Sequence, residues 1–297
     1  MTHVPFPACS SDSRKGGFPE VEAWELEAMR RAIVVSAQGL GSASPNPPVG
    51  CVVLDRGGRV VGEGFHLRKG EAHAEVNALA VAGDRALGGT AVVTLEPCNH
   101  YGRTPPCREA LIEAGVARVV IAVMDPTSRG EGGAALLREA GVEVEQGVLA
   151  EEALLVLGPW LASLTLERPF ITWLQGPDSE ALSTEADLLR QSHDLVVRAG
   201  GHVEEGRRGS HGAGAFRVPD RPLEGDAGHV LRVLGETGAR SVLVMGDAAV
   251  PHLAQRADRL IRYLPFAATS QAPLPPGYRL SEVTRGVAYA RVVGLRI

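Results

Sequence analysis

The chain has 297 residues, 44% hydrophobic and 22% charged, enough apolar material for two cored domains at roughly 150 residues each and too much for a disordered chain or a stapled miniprotein. With 30 Lys and Arg against 35 Asp and Glu, the net charge of −5 argues against a broad nucleic-acid-binding face. The 4 cysteines, Cys9, Cys51, Cys98 and Cys107, are too few and too unevenly spread for a disulfide framework, so a reducing, cytoplasmic setting is expected.

Residues 1–20 are a polar stretch containing Pro and Ser, without the apolar core of a signal peptide, and read as a flexible tail. From Glu22 to Gln38, Leu26, Met29, Ile33, Val34 and Ala37 recur at helical spacing before Gly39 and Gly41, which predicts an amphipathic helix. Val49–Leu54 and Arg59–Phe65 flank Asp55-Arg56-Gly57-Gly58 and predict a hairpin. A helix starting near Ala72, a strand Ala91–Leu95 and a helix Pro106–Glu113 stopped by Gly115 follow. Val119–Met124 is apolar throughout, as a central strand buried on both faces would be. A helix Ala134–Ala140 and a strand Val142–Gln146 complete an α/β alternation around one sheet. The apolar run Ala153–Leu166 is broken by Gly158-Pro159 and is too short to cross a bilayer, so no membrane span is expected.

His73 and Glu75 fall at the start of one helix, and Cys98 and Cys107 at strand-to-helix junctions. Zinc takes imidazole nitrogen and thiolate sulfur, and a catalytic site keeps three protein ligands and one open position. His73, Cys98 and Cys107 meet that requirement, and two thiolates nearly neutralise the ion. Two-residue spacing turns a regular helix by about 200°, so His73 and Glu75 can cooperate only if the helix begins at His73. In zinc deaminases the Glu is not a ligand; it relays a proton from the attacking water to the departing ammonia. Glu75 is the candidate for that role. Cys51, inside an apolar run, reads as a buried structural thiol, and Cys9 as an idle one.

The stretch Thr94-Leu95-Glu96-Pro97-Cys98-Asn99-His100-Tyr101-Gly102-Arg103-Thr104-Pro105-Pro106-Cys107 resembles the bifunctional riboflavin-biosynthesis deaminase/reductase family. So do Pro45-Asn46-Pro47 with Val49-Gly50, Gly62-Glu63-Gly64-Phe65-His66, and Gly70-Glu71-Ala72-His73-Ala74-Glu75. The long interval between the cysteines separates this family from nucleoside deaminases. The resemblance implies a cytidine-deaminase-like three-layer domain over residues 21–167, followed over 168–297 by a shortened dihydrofolate-reductase-like α/β domain. It implies zinc-dependent hydrolytic removal of an amino group from a diaminohydroxypyrimidine bearing a phosphoribosylamino group. Asn46 and His66 would line the pyrimidine pocket with His100 beside it, Arg103 would meet the phosphate, and Asp125 would contribute from its loop. A homodimer is the family expectation.

The second half departs from that pattern. Arg168-Pro169-Phe170-Ile171-Thr172-Trp173-Leu174 begins like the reductase, and Asp187 to Val197 resembles its next helix and strand. In place of a lysine-bearing strand and Ser-Leu-Asp-Gly, however, stands Gln175-Gly176-Pro177-Asp178-Ser179-Glu180. The only lysines in the chain are Lys15 and Lys69. Where the family has Glu-Gly-Gly at the cofactor phosphates, Met245-Gly246-Asp247 leads into a helix from Ala248. A carboxylate there would occupy the amides that a phosphate needs. These departures predict a second half that keeps a core, with strands such as Val242–Met245 and Leu260–Leu264, but has lost NADPH binding. Two rival readings remain: a fully bifunctional enzyme that still uses NADPH, and a deaminase of a related aminopyrimidine, suggested by Thr127-Ser128 after Asp125-Pro126. A non-catalytic zinc scaffold would not need Glu75. Residues 200–217 read as a mobile loop. His193, His202, His211, His229 and His252 lack metal-ligand spacing and read as structural or solvated.

Overall fold

The computed structural model describes residues 21–101, 105–246, 253, 256–266 and 273–297. Expectations placed on the tail with Cys9, on Arg103, on Asp247 with the helix after it, and on His252 lie outside the described residues.

Helix α1 (Ala23–Ser36) opens with a reciprocal capping box between Glu22 and Glu25 and ends in a short 3-10 turn, Ala37–Gly39. Strands β1 (Gly50–Leu54) and β2 (Val60–Phe65) form the expected hairpin, its turn held by Asp55 Oδ1, which accepts from the N–H groups of Gly57 and Arg59. Then follow α2 (Ala74–Ala82), β3 (Thr90–Leu95), α3 (Cys107–Glu113), β4 (Arg118–Val123), α4 (Gly132–Glu139) and β5 (Glu143–Gln146). The five strands lie in the order β2-β1-β3-β4-β5, with β1 antiparallel to its neighbours and β3, β4 and β5 parallel.

Strand periodicity explains the layers, because alternate residues point to opposite faces. Cys51, Val53, Ala91, Val93, Val119 and Ile121 pack with Ala74 and Ala78 of α2, Leu111 of α3 and Leu137 of α4. Val52, Leu54, Val92, Val120 and Ala122 pack on the other side with Met29 and Ala32 of α1 and Leu157 and Trp160 of the following helix. The α2 backbone rides directly on β2: a Cβ on Gly64 would come within 2.4 Å of the Ala78 nitrogen. That close approach sets where α2 begins, and with it where His73 sits.

Helix α5 (Ala150–Leu166) runs unbroken through Gly158 and Pro159, against the expectation of a break. Ala153, Val156, Leu157, Trp160 and Ser163 are buried along it, while Leu155, whose carbonyl Pro159 cannot satisfy, is 76% exposed to water. Burial of one face outweighs the proline's helix penalty of about 3 kcal/mol.

The chain then builds a second sheet from β6 (Phe170–Gln175), β7 (Leu195–Val197), β8 (Val203–Glu205), β9 (Ser241–Met245), β10 (Arg259–Pro265), β11 (Tyr278–Arg285) and β12 (Tyr289–Arg296). Their order is β11-β12-β10-β6-β9-β7-β8, with β6 parallel to β9 and β10. Helix α6 (Glu180–Ser192) packs Ala186 over Leu174, Val196, Leu243 and Ile261, while α7 (Ala227–Glu236) packs Val230 and Leu234 over Ile171, Val242 and Val244. Both helices carry side-chain caps, Ser179 accepting from the Leu182 N–H and Asp226 from the His229 N–H.

The segment 200–217 corrects the mobile-loop reading. It contains β8, pairs with β7 and buries Ser210 against the first half. Its glycines do turn the chain, but polar side chains that the apolar pattern ignores fasten it down. His193 is buried and His211 half-buried, each within a hydrogen-bond network, and His202 and His229 are exposed.

Candidate metal centre and active site

Three elements converge at one end of the first sheet. Strand β3 runs into Glu96-Pro97-Cys98, Cys107 is the first residue of α3 after Pro105-Pro106, and His73 is the extended N-cap residue of α2. Because His73 lies outside the helix, with φ −75° and ψ 167°, its ring is freed from the 200° separation and falls beside Glu75 in the first turn. His73 Nδ1 lies 3.2 Å from Cys107 Sγ and 3.6 Å from Cys98 Sγ, and the two sulfurs are 3.4 Å apart. A tetrahedral zinc, with sulfur at about 2.3 Å and nitrogen at about 2.0 Å, sets ligand separations of about 3.5–3.8 Å, so this donor set fits it closely. Among the described residues no other group of three His, Cys or carboxylate ligands is gathered in this way.

The electrostatics point the same way. Hydrogen bonds from the Cys107 thiol, His73 and the Cys107 N–H pull the Cys98 thiol down to about 4. Cys107, next to that thiolate and buried, is pushed far up, so releasing its proton requires a cation. The hydrogen bond to Cys98 raises His73. Glu75 is 3% exposed, and burial pushes its carboxyl up to about 7. At that value the group can both take and give a proton near neutral pH. Cys51 is fully buried in β1 with its thiol raised well above normal by desolvation, an inert packing residue as expected.

The structure brings Asn46 and His66 to this centre. Asn46 Nδ2 is 3.0 Å from His66 Nε2, His66 Nδ1 is 3.1 Å from the Ala72 carbonyl, and the His66 and His73 rings meet edge to face at 5.1 Å. Burial lowers the pKa of His66, so the neutral ring donates from Nδ1 to Ala72 and accepts at Nε2 from Asn46. His100 is exposed on the connection between the two cysteines. Asp125 directs Oδ1 to its own turn, accepting from the Thr127 N–H at 2.8 Å and the Thr127 hydroxyl at 2.7 Å.

Sequence reasoning passed over Glu96, a buried carboxylate adjoining Pro97-Cys98. Its Oε1 accepts from the Ala134 N–H in the first turn of α4 at 3.0 Å, and its Oε2 from the Asp125 N–H at 3.3 Å. It ties the end of β3, and hence Cys98, to a helix N-terminus, where a negative charge is favoured. A charged residue directly after six buried strand residues was the available signal.

Residues 22–123 match the family described as the cytidine and deoxycytidylate deaminase zinc-binding region. Over 126 residues the chain is 52% identical to the riboflavin biosynthesis protein RibD of Escherichia coli, covering 42% of this chain and 34% of that protein. It is 50% identical to the diaminohydroxyphosphoribosylamino-pyrimidine deaminase of Buchnera aphidicola from Acyrthosiphon pisum, covering 42% of this chain and 85% of that one. These matches span only about a third to a half of the RibD proteins of Escherichia coli and Mycobacterium tuberculosis, 34% and 48%. In fold, the similarity extends across both halves. A Thermotoga maritima diaminohydroxyphosphoribosylaminopyrimidine deaminase/5-amino-6-(5-phosphoribosylamino)uracil reductase superposes with a TM-score of 0.78 at 24% identity, covering 92% of this chain and 99% of that one. Acinetobacter baumannii RibD gives 0.74 at 25% identity, again covering 92% and 99%. The first half therefore has the cytidine-deaminase-like fold with a second α/β domain behind it, and the chain belongs to the diaminohydroxyphosphoribosylamino-pyrimidine deaminase family.

Proposed function

We propose that the chain deaminates 2,5-diamino-6-(5-phosphoribosylamino)pyrimidin-4(3H)-one to 5-amino-6-(5-phosphoribosylamino)uracil and ammonia, as a step toward riboflavin. The observation that carries this reading is the buried Glu75 carboxyl beside the His73, Cys98 and Cys107 triplet. Zinc held by those three residues supplies a positive charge that acidifies and polarises water. Glu75 takes a proton from the attacking water and returns it to the departing amine, so that C–N cleavage releases ammonia rather than an amide ion. Asn46, its amide N–H turned to His66, offers Oδ1 as an acceptor for an N–H of the pyrimidine, and His66 holds it in that orientation. On the same reading His100 flanks the ring, Arg103 meets the phosphate, and Asp125 acts through the turn it closes with Thr127.

The change of sheets across α5 and β6 supports a division at residues 167 and 168. In the second half, the absence of any lysine after Lys69 supports loss of the NADPH-dependent reduction. The free thiols Cys51, Cys98 and Cys107 suit a reducing cytoplasm. No helix among the described residues is long and apolar enough to cross a membrane. A dimer is the expected assembly. Incubating the zinc-loaded chain with the diaminopyrimidine substrate, with and without NADPH, tests the reading by product mass. Replacement of NH by O that is unchanged by NADPH is expected. A further gain of a hydride and a proton with NADPH would restore the bifunctional reading, and no product would point to another aminopyrimidine.

A further inference from the structure

The second half grips the deaminase half at the loop that carries Asn46. Gly41, at φ +68°, lies so close to the end of α6 that a Cβ there would come within 2.0 Å of the Gln191 carbonyl oxygen. The Ser210 hydroxyl donates to the Gly41 carbonyl at 2.8 Å. Three residues on, the Ser44 hydroxyl donates to Asp194 Oδ2 at 2.7 Å, with both residues buried. A second clamp holds the loop after His66, where Lys69 Nζ donates to the Gly214 carbonyl at 2.7 Å and Gly212 sits against the Lys69 backbone.

Asp194 is fixed before it reaches Ser44. Its Oδ2 also accepts from the N–H groups of Arg240 at 2.7 Å and Ser241 at 3.1 Å, at the start of β9, and its own N–H donates to the Ser241 hydroxyl at 3.0 Å. Oδ1 faces His211 Nε2 at 3.4 Å, and His211 Nδ1 meets Glu205 Oε1 at 2.8 Å. On the other side, Ser44 is separated from Asn46 only by Pro45, whose ring fixes φ and whose carbonyl accepts from Trp160 Nε1 at 3.1 Å. The Ser44–Asp194 contact and the Asn46–His66 pair are thus one residue of fixed φ apart.

We propose that Asp194 is a positioning residue for deamination: through Ser44 it sets the Pro45-Asn46-Pro47 turn and the Asn46–His66 pair, making the second half a scaffold for the pyrimidine pocket. This rests on the reading of Asn46 and His66 as pyrimidine contacts. Such a residue serves ground state and transition state alike, so its loss raises KM and leaves kcat in place.

The test uses the full zinc-loaded chain with Ser44→Ala, Ser44→Thr, Asp194→Asn and Asn46→Ala, reading kcat, KM, zinc content and amide hydrogen exchange over residues 39–48. Ser44→Ala removes one oxygen. It should raise KM about ten-fold, the effect of losing a hydrogen bond to a buried charge, with kcat and zinc unchanged. Exchange at the Asn46 amide, which bonds to the Ala43 carbonyl at 3.1 Å, should speed up. Ser44→Thr should restore both, and Asp194→Asn should add nothing in the Ser44→Ala background. Wild-type KM and exchange in Ser44→Ala, alongside a raised KM in Asn46→Ala, would overturn the proposal and leave the functional reading intact. Wild-type KM in both would overturn the role of Asn46, and the proposal with it.

Discussion

Among the described residues, only the first half gathers an unneutralised cluster, although both bury paired charges, Glu25 with Arg118 in the first and Asp258 with Arg168 in the second. There, Arg168 forms two hydrogen bonds with Asp258, at 2.7 and 2.9 Å, and Asp258 also accepts from the Ile171 N–H. His193 is closed between the Leu189 carbonyl and the Thr172 hydroxyl. In the first half, two sulfurs, an imidazole and the Glu75 carboxyl crowd together with no fixed cation among them. A paired buried charge is architecture, whereas a cluster of unneutralised donors calls for an ion and a reaction.

The largest expected effect lies in the unneutralised cluster. Cys107→Ser should lose zinc, by metal analysis, and ammonia release should fall about 10³-fold or more. Chelation of the wild-type protein should do the same, with recovery when zinc is returned. In the paired region Arg168→Ala should cost about 3–5 kcal/mol in denaturant unfolding, because it strands Asp258. Deamination measured below the transition should survive, and if it does not, the contrast between the halves breaks.

His193 sharpens the contrast through pH. Burial lowers its pKa to about 4 from an ordinary value near 6.5, so the folded state prefers the neutral ring. The contribution is complete above pH about 6.5 and is lost as pH falls toward 4, roughly 3 kcal/mol in all. His193→Gln should flatten the acid limb of stability against pH by that amount; an unchanged slope would contradict the assignment. The smallest effect belongs to Glu96→Ala, about 1–2 kcal/mol for a lost helix-terminal acceptor, with faster zinc release than wild type.

The first half was legible because its signals are local. Helix stops, the Asp55–Gly58 turn, and the His73-to-Glu75 and Cys98-to-Cys107 spacings all act within a few residues. Spacing could not show that His73 stands outside its helix as the N-cap, which is what lets Glu75 join it. What stayed hidden depends on partners distant in sequence. Pro159 is tolerated because α5 is buried along one face, Glu96 is engaged by an amide 38 residues on, and Ser44 meets Asp194 across 150 residues. The segment 200–217 looked loose because its anchoring groups, Ser210 and His211, are polar. Of the expected pocket residues, Asn46 and His66 lie together beside His73, while Asp125 is engaged by its own turn with Thr127, a contact that no spacing signals.

The most direct test of the account is Glu75→Gln, with zinc stoichiometry and deamination measured on the same preparation. Gln keeps the shape but cannot carry the proton. Full zinc occupancy with turnover reduced about 10²- to 10⁴-fold is expected. Wild-type turnover, or loss of zinc together with activity, would contradict the assignment of Glu75 as the proton carrier beside the metal.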